Sequence, residues 1–288
     1  MQLSDECKGC LFNSQLKKAE REQTDKLKLK EFVDKVRALC ANPPKNYCAP
    51  LLMRDIDRAY AWIFGTGLDY SEEKAMFDNL LLKMEDKLFQ RVISADDCLS
   101  EALKFCMAAN FIDFARLSDL NAESVEYVIS SAACAVPDAV ALLSLKNKLE
   151  TAKTLCFLHD NCGEIVLDKI LIRLIKQIYP GVAVTSVVRG GAIINDVTIE
   201  DAKAVGLYEF ADVIGNGTAI PGTYLKEASK ETLEVLGKSD VIISKGLGNL
   251  ETLYGEGYNV FYMFTCKCGH IADRFGVPLW SAVLTEEK

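Results

Sequence analysis

A chain of 288 residues, 50% hydrophobic and 26% charged, has the make-up of a folded globular protein, with room for one large domain or two ordinary ones. Its net charge of -8 argues against a nucleic acid or an anionic membrane as partner. No apolar run reaches the length of a membrane span, and the polar start, Met1 to Cys10, lacks the apolar core of a signal peptide.

A cytoplasmic location is therefore expected, with reduced thiols as the default for the eleven cysteines. Residues 1 to 150 read as a helical portion. Ser14 to Cys40 has a helical pattern and ends at Pro43-Pro44. A helix from about Leu51 to Phe64 follows, then the Gly65-Thr66-Gly67 turn. Ser71, followed by Glu72 and Glu73, marks another helix start. Further helices are expected over Asp96–Asn110, Ser124–Ala133 and Asp138–Thr151.

The pattern changes near Leu149. Short β-branched runs, Thr154–Leu158, Val182–Val188, Val213–Ile214, Val241–Ser244, Asn259–Phe264 and Leu279–Val283, alternate with helical stretches over Glu164–Ile178, Lys230–Leu236, Leu250–Glu256 and Cys268–Phe275. Such alternation predicts an α/β portion, residues 151 to 288, with a mainly parallel sheet covered by helices. The helical portion is expected to pack on it, with no flexible linker between them.

Polar clusters fall just after these strands, at the edge where open α/β sheets place their chemistry. Asp160-Asn161 follows the first strand. Arg189-Gly190 and Asn195-Asp196 follow the second. Gly215 to Thr223 follows the third, and Lys245-Gly246-Leu247-Gly248-Asn249 the fourth. Asp160, Asn161 and Asp196 offer oxygen ligands to a divalent cation. Lys245 offers a fixed positive charge among glycines, with Arg189 a weaker candidate, and such a set suits phosphoryl transfer. Each feature has a plain structural alternative: Asp160 or Asn161 as a helix cap, and Gly215 to Thr223 as a tight connection.

Other chemistries find no support. There is no P-loop, no complete dinucleotide fingerprint, and with only His159 and His270 no histidine-based zinc site or triad. His159 should point away from Asp160 along the strand. Cys7-x-x-Cys10 is a possible half-site for zinc or iron and Cys266-x-Cys268 could supply the other half, but a C-x-C half is a poor match to zinc spacing, so free or redox-labile thiols rank ahead of a metal site. They are expected to lie near one another, away from Asp160, as non-catalytic thiols.

The sequence resembles the damage-control phosphatases, a metal-dependent family long catalogued as domain of unknown function 89. The residues that carry the likeness span nearly the whole chain: Cys7-x-x-Cys10, Gly67-Leu68-Asp69-Tyr70, Asn110 to Asp113, Asp160-Asn161-Cys162-Gly163-Glu164, Arg189-Gly190, Asn195-Asp196-Val197-Thr198, Pro221-Gly222-Thr223 and Ser244-Lys245-Gly246-x-Gly248-Asn249-x-Glu251. The N-terminal cysteine pair resembles one subfamily of it. The resemblance implies a divalent ion (Mg, Mn, Co or Ni) on Asp160, Asn161 and Asp196, with Lys245 meeting the substrate phosphate. Asn110 and Asp113 would reach the site from the helical half, and Gly246, Asn249, Arg189 and Thr223 would line the phosphate. Gly191-Ala192 and Leu247 depart from the family pattern.

The function expected is therefore a phosphatase acting on small phosphorylated metabolites. The attacking group stays open between a water, with Asp160 or Asp113 as base, and a carboxylate itself. Other readings are a non-catalytic binding protein for a phosphorylated ligand and, ranked lower, a methyltransferase.

Overall fold

The computed structural model describes residues 1–109, 130, 132 and 134–288. Asn110, Asp113 and most of the helix expected over Ser124–Ala133 lie outside them. The helices of the first half are α1 (Asp5–Glu22), α2 (Lys26–Ala41), α3 (Ala49–Phe64), α4 (Ser71–Leu82), α5 (Glu85–Ile93), α6 (Cys98–Ala109) and α7 (Ala139–Thr151). The second half runs β1 (Thr154–Leu158), α8 (Glu164–Ile178), β2 (Ala183–Val188), α9 (Ile199–Ala204), β3 (Asp212–Gly215), α10 (Lys230–Lys238), β4 (Val241–Lys245), α11 (Gly246–Leu253), β5 (Val260–Thr265), α12 (Gly269–Phe275) and β6 (Ala282–Glu287).

The sheet order is β3-β2-β1-β4-β5-β6. The first five strands are parallel and β6 pairs antiparallel with β5. From β1 the chain winds outward through β2 and β3, then returns to the other side of β1 with β4. That reversal opens a crevice between the carboxyl ends of β1 and β4, the place where such sheets bind ligands.

The two halves share one core. A single apolar cluster runs from Phe77, Leu81 and Phe105 in the helical half through Ile165, Ile170 and Leu171 on α8 to Phe157, Ile243 and Met263 in the strands. A second cluster on the opposite sheet face joins Leu158, Ile242, Tyr262 and Phe264 to Leu250 and Ile271. Helices α1 to α3 build a smaller cluster around Phe32, Val36, Ile56 and Tyr60. Arg54 on α3 ties that unit to the α/β half through Glu227, 2.7 Å away.

Several elements differ from expectation for local reasons. Ser14 to Cys40 is not one helix: Asp25 accepts hydrogen bonds from the Leu27 and Lys28 amides and starts α2 afresh, as a short acidic N-cap does. Ser71 is the first residue of α4 rather than its cap, and Asp69 accepts from its amide at 2.8 Å. Helix α5 was not anticipated. Strand β6 begins at Ala282 because Trp280 takes a positive φ of 65° and turns the chain back along β5.

Candidate active site

At the end of β1, backbone bonds fasten the β1–α8 turn to the loop before α9. Val197 N donates to Asp160 O at 2.9 Å and Cys162 N to Asn195 O at 3.0 Å, and Asn161 forms an antiparallel bridge with Asp196. The pairing brings together the three residues read as metal ligands. Asn161 Nδ2 donates to Asp160 Oδ2 at 2.9 Å and to Glu164 Oε1 at 2.8 Å. Both amide protons are thereby used, which leaves the Asn161 carbonyl oxygen as the atom that could hold a cation.

Behind this group stands a buried charge network. Lys245 Nζ lies 3.0 Å from Glu164 Oε2 and 2.8 Å from Asp168 Oδ1. Asp168 Oδ2 lies 3.0 Å from His159 Nδ1, and His159 Nε2 lies 3.0 Å from Ser186 Oγ. His159 thus points inward, as the strand alternation required. Burial works against both members of the Lys245–Asp168 pair. Their mutual attraction wins, holding the lysine above and the aspartate below its ordinary range.

Arg189 is also buried. Its Nε donates to Asp196 Oδ2 at 2.5 Å, its Nη1 to Asn249 Oδ1 at 3.2 Å and its Nη2 to Asp160 Oδ1 at 3.4 Å. Even so, Asp160 is pushed well above the usual carboxylate range, by burial first and then by repulsion from Asp196 and Glu164. Burial likewise lifts Asp196, although Arg189 opposes it.

The residues read as phosphate contacts are placed as follows. Lys245, Asn249 and Thr223 are fully buried. Asn249 donates to the His159 and Lys245 carbonyls, both at 2.9 Å, and accepts from Thr223 Oγ1 at 2.9 Å. It therefore clamps the ends of β1 and β4 together. Gly246 starts α11 directly from β4, with φ +79°. A Cβ there would stand 1.9 Å from Asp160 Oδ2, so only glycine fits beside that carboxylate. The Gly215 to Thr223 loop is held by Asn216, which accepts from the Gly190 and Thr218 amides at 3.0 Å and donates to Gly222 O at 3.0 Å. That is the tight connection.

Glu164, Asp168 and His159 were not singled out as site residues in the sequence. The available signal was two acids at i and i+4 on an otherwise apolar helix. Nearby, Asp78, Cys162 and Asp201 are the one set of three such ligand groups among the described residues whose atoms all lie within 4.8 Å. Lys74 Nζ already sits 2.5 Å from Asp201. A cavity of about 360 Å³ adjoins them, between the Gly67–Tyr70 turn, α4 and Ala192–Ile194.

Helix α1 docks on the start of α12, where Glu6 accepts from the Gly269 and His270 amides, both at 3.1 Å. The N-terminal helix thus lies near Cys268, as expected. Cys7 is half-buried and accepts from Ser4 Oγ at 3.0 Å, while Cys10 is exposed. No disulfide joins the described cysteines. Replacing Cys7 and Cys10 together with serine is expected to leave kcat nearly unchanged and at most lower the Tm. Lost turnover in a folded double variant would instead indicate a thiol pair that gates the site.

The fold and the edge cluster define an α/β protein with a buried carboxylate-and-amide site at its topological switch point. The chain belongs to the family described as "Damage-control phosphatase ARMT1-like domain", which matches residues 3–283. It is 33% identical over 223 residues to the damage-control phosphatase PH1575 of Pyrococcus horikoshii, covering 76% of this chain and 75% of that protein. It is 27% identical over 288 residues to a damage-control phosphatase of Archaeoglobus fulgidus, covering 98% of each. An uncharacterized protein of Methanocaldococcus jannaschii is 33% identical over 224 residues, covering 75% of this chain and 72% of that one. The crystal structure of the Pyrococcus horikoshii protein, a member of the domain-of-unknown-function-89 family, superposes with a TM-score of 0.87 at 27% identity, covering all of both chains.

Proposed function

We propose that the protein is a divalent-metal-dependent phosphatase that hydrolyses small phosphorylated metabolites, sugar phosphates or damaged phospho-metabolites. Charge balance carries the reading. Asp160, Glu164, Asp168 and Asp196 are gathered at one strand edge, and among the described residues the lysine and arginine side chains ion-paired with them are Lys245 and Arg189, while Lys74 pairs with Asp201. Fully ionised, four buried carboxylates against two cations leave a double negative charge, which is unfavourable without a counter-ion. A divalent ion cancels it, and oxygen donors select Mg or Mn, with Co and Ni also accommodated. The names of two relatives, both damage-control phosphatases, point the same way.

Asp160, Asn161 and Asp196 would hold the ion, which when bound supplies Lewis-acid stabilisation of phosphoryl oxygens. The chain's own residues prepare the site. Arg189 orients the two aspartates, and Glu164 fixes the Asn161 amide so that its oxygen serves as ligand. Lys245 holds Glu164 and contributes positive potential under the phosphate. Asn249, Gly246 and Thr223 keep the two strand ends at their spacing. Asp113, with Asp160 as the other candidate, would accept the proton of the attacking group, and Asn110 would contact substrate. No helix among the described residues is long and apolar enough to cross a membrane, which fits action on small molecules in the cytoplasm.

The test is turnover by metal-stripped protein on p-nitrophenyl phosphate and a panel of sugar phosphates, with Mg, Mn, Co or Ni restored in turn. Hydrolysis is expected only with an ion present and should stop on chelation. Phosphate binding without turnover under every ion would overturn the reading in favour of a binding protein.

A further inference from the structure

We propose that Lys74 and Asp78 on α4 are positioning residues that hold the two loops carrying the metal-ligand candidates at a fixed spacing. The inference rests on the metal-dependent phosphatase reading and deepens it, because it gives the helical half a part in assembling the site.

The first observation is where the two side chains end. Lys74 and Asp78 stand at i and i+4 on α4 (Ser71–Leu82) and so share one face of it. Asp78 Oδ1 accepts from Gly163 N at 2.5 Å. Lys74 Nζ lies 2.5 Å from Asp201 Oδ2. That same oxygen accepts from Thr198 N and Thr198 Oγ1, both at 2.8 Å. Gly163 comes two residues after Asn161, and Thr198 two residues after Asp196. One helix face therefore grips both loops at the same offset from a ligand candidate, the first directly and the second through Asp201.

The second observation is that the turn at Gly163 depends on α4. Gly163 is buried, takes a φ of +79° and precedes α8, which has no side-chain cap of its own. A buried backbone N–H without an acceptor is costly. Asp78 supplies from another helix the oxygen that a capping residue would supply locally. A Cβ at Gly163 would stand 3.2 Å from Phe77 Cβ, so α4 also packs directly on the turn.

The third observation is that the bracket is rigid. Lys74 is 8% and Asp78 5% exposed. Phe77 and Leu81 of the same helix belong to the apolar cluster that includes Ile165 on α8. The buried Cys162 thiol lies within 4.8 Å of both the Asp78 and Asp201 carboxylates. On their other side the loops are joined by the Cys162 N to Asn195 O bond and the Asn161–Asp196 bridge. Outer partners of this kind orient the groups that touch a metal, and losing one typically weakens metal binding about 10- to 100-fold.

The experiment compares the parent protein with Asp78→Ala, Asp78→Asn and Lys74→Met, each well below its Tm. Mn is titrated calorimetrically, and amide hydrogen exchange of residues 161–166 is followed in the metal-free proteins. Asp78→Ala is expected to bind Mn about 10- to 100-fold more weakly and to exchange the Gly163 amide faster. Asp78→Asn keeps an acceptor oxygen and should retain most of the affinity. Lys74→Met should also weaken Mn binding. It leaves the Gly163 amide bonded, so it carries the test should Asp78→Ala not fold. A merely structural role would lower the Tm while the folded variants bind Mn as the parent does, and that result would overturn the proposal. If the parent itself binds no Mn, the metal-dependent reading fails. Exchange at Gly163 then decides the bracket, with faster exchange in Asp78→Ala supporting it and parental exchange refuting it.

Discussion

Asp160→Asn is expected to abolish divalent-ion binding and metal-dependent turnover while the metal-free protein melts no lower than its parent. The two halves of that result come from one cause. In the metal-free state Asp160 is a buried carboxyl whose ionised form is opposed by burial and by Asp196 and Glu164. Asparagine keeps the shape and loses the charge. The sign for pH follows. A carboxyl whose folded pKa lies above its unfolded value contributes stability that is fully present below the unfolded pKa and is lost as pH rises through the raised folded value. The metal-free parent should therefore weaken from acidic toward alkaline pH, and Asp160→Asn should flatten that slope. Asp196→Asn should lose turnover equally but also melt lower, because Arg189 then loses its 2.5 Å partner. Titration calorimetry with Mn and thermal melting across pH check both variants. Parental metal affinity in either would remove that residue from the ligand set.

Lys245→Met is expected to cost both the fold and the activity. Its ammonium is the shared partner of Glu164 and Asp168, all three fully buried. Removing one partner of a buried pair leaves uncompensated charge, typically destabilising by about 3–5 kcal/mol. The turnover of whatever remains folded should fall by about two or more powers of ten, as happens when a preorganised charge-stabilising group is lost. Urea denaturation and kcat/KM separate the two effects. A double change, Lys245→Met with Asp168→Asn, should regain part of the stability without regaining turnover. A Lys245→Met protein of parental stability and kinetics would show that the network is dispensable.

Much of the fold was legible because β-branched runs and apolar helical repeats alternate after Leu149, and because glycines and acid-amide pairs follow the strands in a common phase. The position of Asp160, Asn161 and Asp196 at one edge follows directly from that phase. What was not legible is the direction of side chains at the edge. Lys245, Asn249 and Thr223 have polar chemistry that reads as ligand contact, yet the structure turns them inward to hold strand ends and carboxylates. The partners responsible, Glu164 and Asp168, lie on α8 and His159 on the β1 end, and only the packing of α8 against the sheet brings them to Lys245.

The strand order has another consequence. The sheet's two outer strands are β3, only four residues long and starting at Asp212, and β6, which ends in Glu286 and Glu287. Short length and carboxylates both make an outer strand a poor template for a strand from another molecule. Lys148 at 2.9 Å and Tyr262 at 3.0 Å further occupy these two glutamates. Both outer strands of the apolar sheet are thus poorly suited to seed intermolecular β-pairing.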